Sequence, residues 1–112
     1  MYNSIEQNNQ QMKTKKWKRQ DQEMEGSYCF NGRFYITRGV FDLLATEEVA
    51  QIAKEIQEEV KIHNGLDYLQ VYIHEDTGQK IYCIDQLNRE MIGSGKYKPE
   101  DNYWTMLLSS EY

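Results

Sequence analysis

The chain is short of nearly every residue that staples, breaks or spans. Its 112 residues include two cysteines, one proline and two histidines, and no apolar run approaches membrane-spanning length. Cys29 and Cys83 have no CxxC spacing, which argues against a disulfide scaffold and for two reduced, apolar-behaving thiols. His63 and His74, scattered with those cysteines, do not assemble the converging ligand set that zinc needs, so no metal and no cofactor is expected. The N-terminus has no apolar signal core, and a bilayer-crossing helix needs about 20 apolar residues, so a cytoplasmic protein without a membrane partner is expected. The "GSGK" at Gly93 to Lys96 lacks the length and the following helix of a phosphate-binding P-loop, and reads as loop.

Positive charge is also scarce. The formal net charge is -5, and it is unevenly spread: residues 1–26 carry five basic and four acidic side chains, residues 27–112 eight and fourteen. An acidic folded part repels phosphate backbones and favours basic partners, so nucleic acid is not the expected ligand. The one exception is "KTKKWKR", where Lys15, Lys16, Trp17, Lys18 and Arg19 combine charge with a stacking ring and are candidate nucleic-acid contacts.

What is present is hydrophobic patterning. Residues 1–26 are polar without sustained periodicity and read as a tail, leaving residues 27–112 as one domain. From Tyr28 to Val40, Phe34 and Ile36 alternate with Tyr35 and Thr37, predicting a strand that ends on Arg38 and exits through Gly39 at a bulge or positive φ. Thr46 reads as a helix N-cap, followed by the stripe Val49, Ile52, Ala53, Ile56 and Val60 and a left-handed end at Asn64-Gly65. "DYLQVYIHE" predicts a strand with Leu69, Val71 and Ile73 facing the core and Tyr68, Gln70, Tyr72 and His74 facing out. A turn at "DTG" returns it through "QKIYCIDQL", a loop spans 88–102, and a last strand begins at Tyr103. The fold class that follows is α+β: an antiparallel sheet of about four strands in the order β-α-β-β-β, with one amphipathic helix packed on it.

Three sets of side chains are candidates for function. Glu55, Glu58 and Glu59 form an acidic helix face suited to a basic partner surface. Arg38, His74 and Asp85 fall near strand ends, where they either pair internally, Arg38 with Asp85, or border a ligand pocket; Cys83 beside His74 and Asp85 is the only thiol-nucleophile arrangement on offer. Nine tyrosines are the third feature, serving a half-buried sheet or a contact surface.

The segments "TRGV" at Thr37 to Val40, "IYCIDQLNREM" at Ile81 to Met91, "GSG" around Ser94 and the final "YWTMLLSSEY" resemble a small domain of unknown function from bacterial plasmids, mobile elements and phages. That family's pattern runs T-x-G-V, W-K-I-D-Y-Y-D, G-S, D-P and L-T-I-M-L-x-x-E-Y. The resemblance covers about residues 37–112, with Tyr82 and Cys83 standing where the family has Trp-Lys. "LDYLQVY" with "YITRGV" is also similar to an uncharacterised family of Gram-positive bacteria and their phages. These resemblances imply a mobile-element setting and supply no catalytic residues. The functional expectation is a non-enzymatic binding or inhibitor protein that engages a host protein, a defence factor among the options, through an acidic, tyrosine-rich surface. A ligand pocket or enzyme near Arg38, His74 and Asp85, and a nucleic-acid-binding tail, are the alternatives; self-association stays open.

Overall fold

A computed structural model describes residues 16–112. Along the chain run β1 (Trp17–Arg19), β2 (Arg33–Ile36), α1 (Arg38–Leu43), α2 (Thr46–His63), β3 (Leu69–His74), β4 (Lys80–Asp85), α3 (Arg89–Gly93) and β5 (Tyr103–Leu108), with single 3-10 turns at Pro99–Asp101 and Ser109–Glu111. The strands form one five-stranded sheet in the order β1-β3-β4-β5-β2. All its pairings are antiparallel except β2 with β5, which is parallel. The class is α+β, as the periodicity implies. No helix among the described residues is long and apolar enough to cross a membrane.

The stripe on α2 does what its spacing requires. Ile52 and Ile56 are buried, and Val49, Ala53 and Val60 pack against the core from either side. The helix begins after Ala45, whose N–H donates to the Glu48 carboxylate at 2.8 Å, and Glu47 and Glu48 occupy the turn where the helix dipole favours negative charge. Thr46 is therefore the first helical residue and not the cap. Asn64 takes the left-handed conformation at φ 57 and ends the helix as its sequence suggests.

Three further expectations are corrected. The strand expected over 28–40 is only four residues long, because the Thr37 hydroxyl accepts the Val40 N–H and starts a helix at Arg38. Gly39 lies in that helix without a positive φ. Glycine there leaves room for Glu111: a Cβ would sit 2.7 Å from its carboxylate carbon and push that side chain aside, and the Gly39 N–H donates to the carboxylate at 3.2 Å. The second correction concerns the tail. Trp17–Arg19 pairs antiparallel with β3, Trp17 opposite His74, so the edge of the sheet is built from a segment expected to be solvated. Lys15 and the residues before it lie outside the described residues.

The third correction has the widest consequences. Gln70 and Tyr72 are the buried residues of β3, and Leu69, Val71 and Ile73 are on the opposite face. The register carries this across the sheet. Gln70, Cys83 and Met106 line up facing α2, as do Tyr72 and Ile81; Val71, Tyr82 and Leu107 line up on the other side. The core is thus one-sided, formed between the sheet and α1 with α2, and the far face carries partly exposed aliphatic and tyrosine side chains with no layer over it among the described residues.

Glu111 ties the ends of β2 and β5 together. Its carboxylate accepts from the Thr37 hydroxyl at 2.6 Å, from the Leu108 N–H at 2.8 Å and from the Gly39 N–H. The Thr37 hydrogen bond, followed by the two backbone donors, holds its carboxyl below the usual value of 4.5. A carboxylate with a depressed folded pKa adds stability that is present above its unfolded value and lost as pH falls through the folded one. Urea-denaturation midpoints are therefore expected to decline as pH drops from about 4.5, and Glu111→Gln should flatten that part of the profile. An unchanged slope would assign the acid sensitivity to the other depressed carboxyls, Asp76 and Glu90.

Candidate functional site

The structure separates the residues that the sequence offered as a pocket. Arg38 is exposed on α1 and pairs with Asp42 one turn along, at 3.2 Å. Asp85 is buried at the far end of β4, where its carboxylate accepts from the Phe30 N–H at 2.9 Å and the Gln86 N–H at 3.0 Å. Burial pushes its carboxyl up, and the N–H groups of Phe30, Gln86 and Leu87 partly pull it back. His74 is at the opposite end of the β3–β4 hairpin, its ring edge-on to Trp17 at 4.8 Å and its Nδ1 accepting from the Asp76 and Thr77 N–H groups in the turn. Arg38 and Asp85 do not form the expected pair, and no recess joins the three among the described residues.

Cys83 sits in the core opposite Gln70, fully buried, and burial pushes its thiol up, which disfavours the thiolate a nucleophile needs. Both cysteines are free thiols. Among the described residues no group of three or more His, Cys, Asp or Glu converges in a way that could hold a metal.

The acidic helix face is largely engaged by the protein itself. The Tyr72 hydroxyl donates to Glu55 at 2.8 Å, and Arg19 from β1 meets Glu59 at 3.0 Å. His63 lies 3.4 Å from the same Glu59 oxygen. Only Glu58 of the three is fully exposed. The basic cluster is absorbed in the same way: Lys16 pairs with Asp76 at 2.5 Å, Lys18 with Glu75 at 3.8 Å, and Trp17 is buried with its Nε1 donating to Glu48 at 3.1 Å. A ring held in the core cannot stack on a base, so the nucleic-acid reading loses the aromatic it relied on.

What sequence reasoning missed lies on the uncovered face. After β1 the chain runs alongside β3 through Gln20 to Met24, and between this segment and the sheet lies a groove of about 370 Å³. Leu69, Val71 and Ile73 form its floor, and Met24 and Tyr68 contribute apolar wall. Three carboxylates, Asp21, Glu23 and Asp67, line it against one cation, Lys80. The wall is fixed by Gln22, whose side-chain oxygen accepts from the Asp67 N–H at 3.1 Å and from Gln70 Nε2 at 2.9 Å. Gln70 in turn accepts from Arg19 Nε at 2.9 Å, so one buried amide anchors both β1 and the strip beyond it. The only sequence signal of this site is the apolar alternation of β3, which by polarity alone points into the core. A smaller recess of about 300 Å³, between Leu87, Ile92 and Tyr97, is more open and has Lys98 and Asn102 as its polar lining, with no carboxylate.

Comparisons of the chain with protein-family models, with curated proteins and with solved structures gave no match. The resemblance over residues 37–112 therefore stands on its motifs alone.

Proposed function

We propose that the protein is a non-catalytic binding module that takes a basic, amphipathic segment of a partner protein into the groove on the uncovered sheet face. The observation that carries this reading is the groove's composition: an aliphatic floor at Leu69, Val71 and Ile73 beneath a margin of three carboxylates. A segment with apolar side chains at alternate positions would desolvate that floor, at about 25 cal/mol per Å² of apolar surface removed from water. Lysines or arginines beside them would meet Asp21, Glu23 and Asp67, giving register and a faster encounter. This acidic margin is separate from Glu55 and Glu59, which bond to Tyr72 and Arg19.

Binding is favoured over catalysis because the groups that could react are already occupied: Cys83 in the core, Asp85 on backbone N–H groups, His74 in a turn. The partner in this reading is a host protein, inhibited by being held, in the mobile-element setting that the family resemblance implies. The test uses a fluorescein-labelled peptide of about nine residues alternating leucine with lysine, against one alternating leucine with glutamate. The Leu/Lys peptide should bind saturably and more weakly as salt rises. Val71→Lys should weaken it about tenfold or more in a variant with unchanged circular dichroism, and Asp21→Asn with Glu23→Gln should mainly slow association. Equal binding of both peptides, or indifference to Val71→Lys, would refute the proposal.

A further inference from the structure

The two edges of the sheet are built differently. Along β1 the exposed edge carries ion pairs, Lys16 to Asp76 and Lys18 to Glu75. Charge of this kind discourages pairing with another strand. The β2 edge has no such guard. After Arg33 it presents Phe34, Tyr35 and Ile36, all partly exposed, and none of its residues makes an ion pair among the described residues. Phe41 and Leu43 are exposed too, so five large apolar side chains reach solvent within the ten residues from Phe34 to Leu43. That concentration lies beside a strand that has no further strand paired to its outer side among the described residues.

The backbone of β2 is also set for pairing. Its bonds to β5 run from the Arg33 N–H to Asn102 O and from the Thr37 N–H to Met106 O, both 3.1 Å. Strand alternation then turns the N–H and C=O groups of Phe34 and Ile36 away from β5, toward the free edge. We propose that this edge joins two copies of the chain, β2 against β2, antiparallel about a two-fold axis through Tyr35. In that register Phe34 faces the partner's Ile36 and the two exchange both backbone bonds, giving four bonds across the axis. Tyr35 faces its own copy, Arg33 faces Thr37, and no like charges are set opposite each other. A contact of this length falls below the standard interface of about 800 Å² per partner, so the dimer is reversible. This interaction is independent of the groove, which is at the β1–β3 side; pairing in the sheet plane leaves both grooves open on the same face.

Sedimentation of the full chain from roughly 1 to 200 µM tests this, in the range where an interface of small area is expected to dissociate. The expected result is a monomer–dimer equilibrium. Tyr35→Lys and Tyr35→Glu should each weaken self-association at least about tenfold by setting like charges together on the axis, and an equimolar mixture of the two should dimerise again. Val71→Lys should leave the equilibrium unchanged. A chain that stays monomeric across the range overturns the proposal. So does a dimer that ignores both Tyr35 variants, and so does one lost only with Val71→Lys, which would place the second copy on the uncovered face.

Discussion

Trp17→Ala is expected to lower the stability of the protein by about 3–5 kcal/mol, the range for removing a large aromatic side chain from a core. The side chain is 6% exposed although it stands on a three-residue edge strand. It is edge-on to His74, and its Nε1 donates to Glu48, whose other oxygen accepts the Ala45 N–H at the start of α2. One residue therefore clamps the sheet edge to the beginning of the main helix. Trp17→Phe should recover most of the loss, since it restores the apolar bulk and lacks only the N–H bond to Glu48. Lys18→Ala is the control: an exposed pair 3.8 Å from Glu75 contributes at most about 1 kcal/mol. Trp104, buried at β5, reports the urea transition in every variant. A loss under about 0.5 kcal/mol for Trp17→Ala would return residues 16–19 to a solvated tail.

That residue also shows where sequence reasoning stops. The stripe of α2, its left-handed end at Asn64, the β3–β4 hairpin and β5 are local patterns, and each is read from spacing within one segment. Trp17 is embedded among lysines, and only a partner about 57 positions away, His74 in the register, makes it a strand residue. The face of β3 failed for a related reason. Alternation separates Leu69, Val71 and Ile73 from Gln70 and Tyr72 without saying which set meets the helix, and polarity favours burying the first set. Polarity lost because the second set is satisfied from a distance: Gln70 by Arg19 and Gln22, Tyr72 by Glu55. The same bonds removed Glu55 from the acidic helix face. The sequence thus pointed to an acidic, tyrosine-bearing surface and to α+β packing, while the groove depends on long-range polar bonds that no local window contains.

Asp85→Ala should bring a loss of about 3 kcal/mol, a size expected when a buried backbone donor loses a charged acceptor. Asp85 is 3% exposed, and it accepts from the Phe30 and Gln86 N–H groups. Phe30 is the reason the carboxylate cannot be dispensed with. Its side chain is fully buried, its ring is edge-on to Trp104 at 5.4 Å, and its backbone is held at φ 48, which costs on the order of 1 kcal/mol or more for a residue other than glycine. Two contacts hold that turn: the Asp85 carboxylate on the Phe30 N–H, and Gln57 of α2 donating to the Phe30 carbonyl. Burial alone penalises the ionised carboxyl, so an apolar replacement gains back some desolvation energy. It also leaves the Phe30 N–H unpaired in the core, and that term is the larger one. Asp85→Asn keeps the shape but turns one acceptor into a donor facing an N–H, so it should fall between Ala and the native residue. The pH dependence gives an independent readout. A carboxyl whose folded pKa is raised contributes most below its unfolded value of 3.8 and less as pH rises through the folded value, opposite in sign to Glu111. Removing Asp85 should therefore make the fall in stability below about pH 5 steeper, while Glu111→Gln makes it shallower. A loss below about 1 kcal/mol, or a change of slope in the other direction, would show that Asp85 is not what holds Phe30 in its left-handed turn.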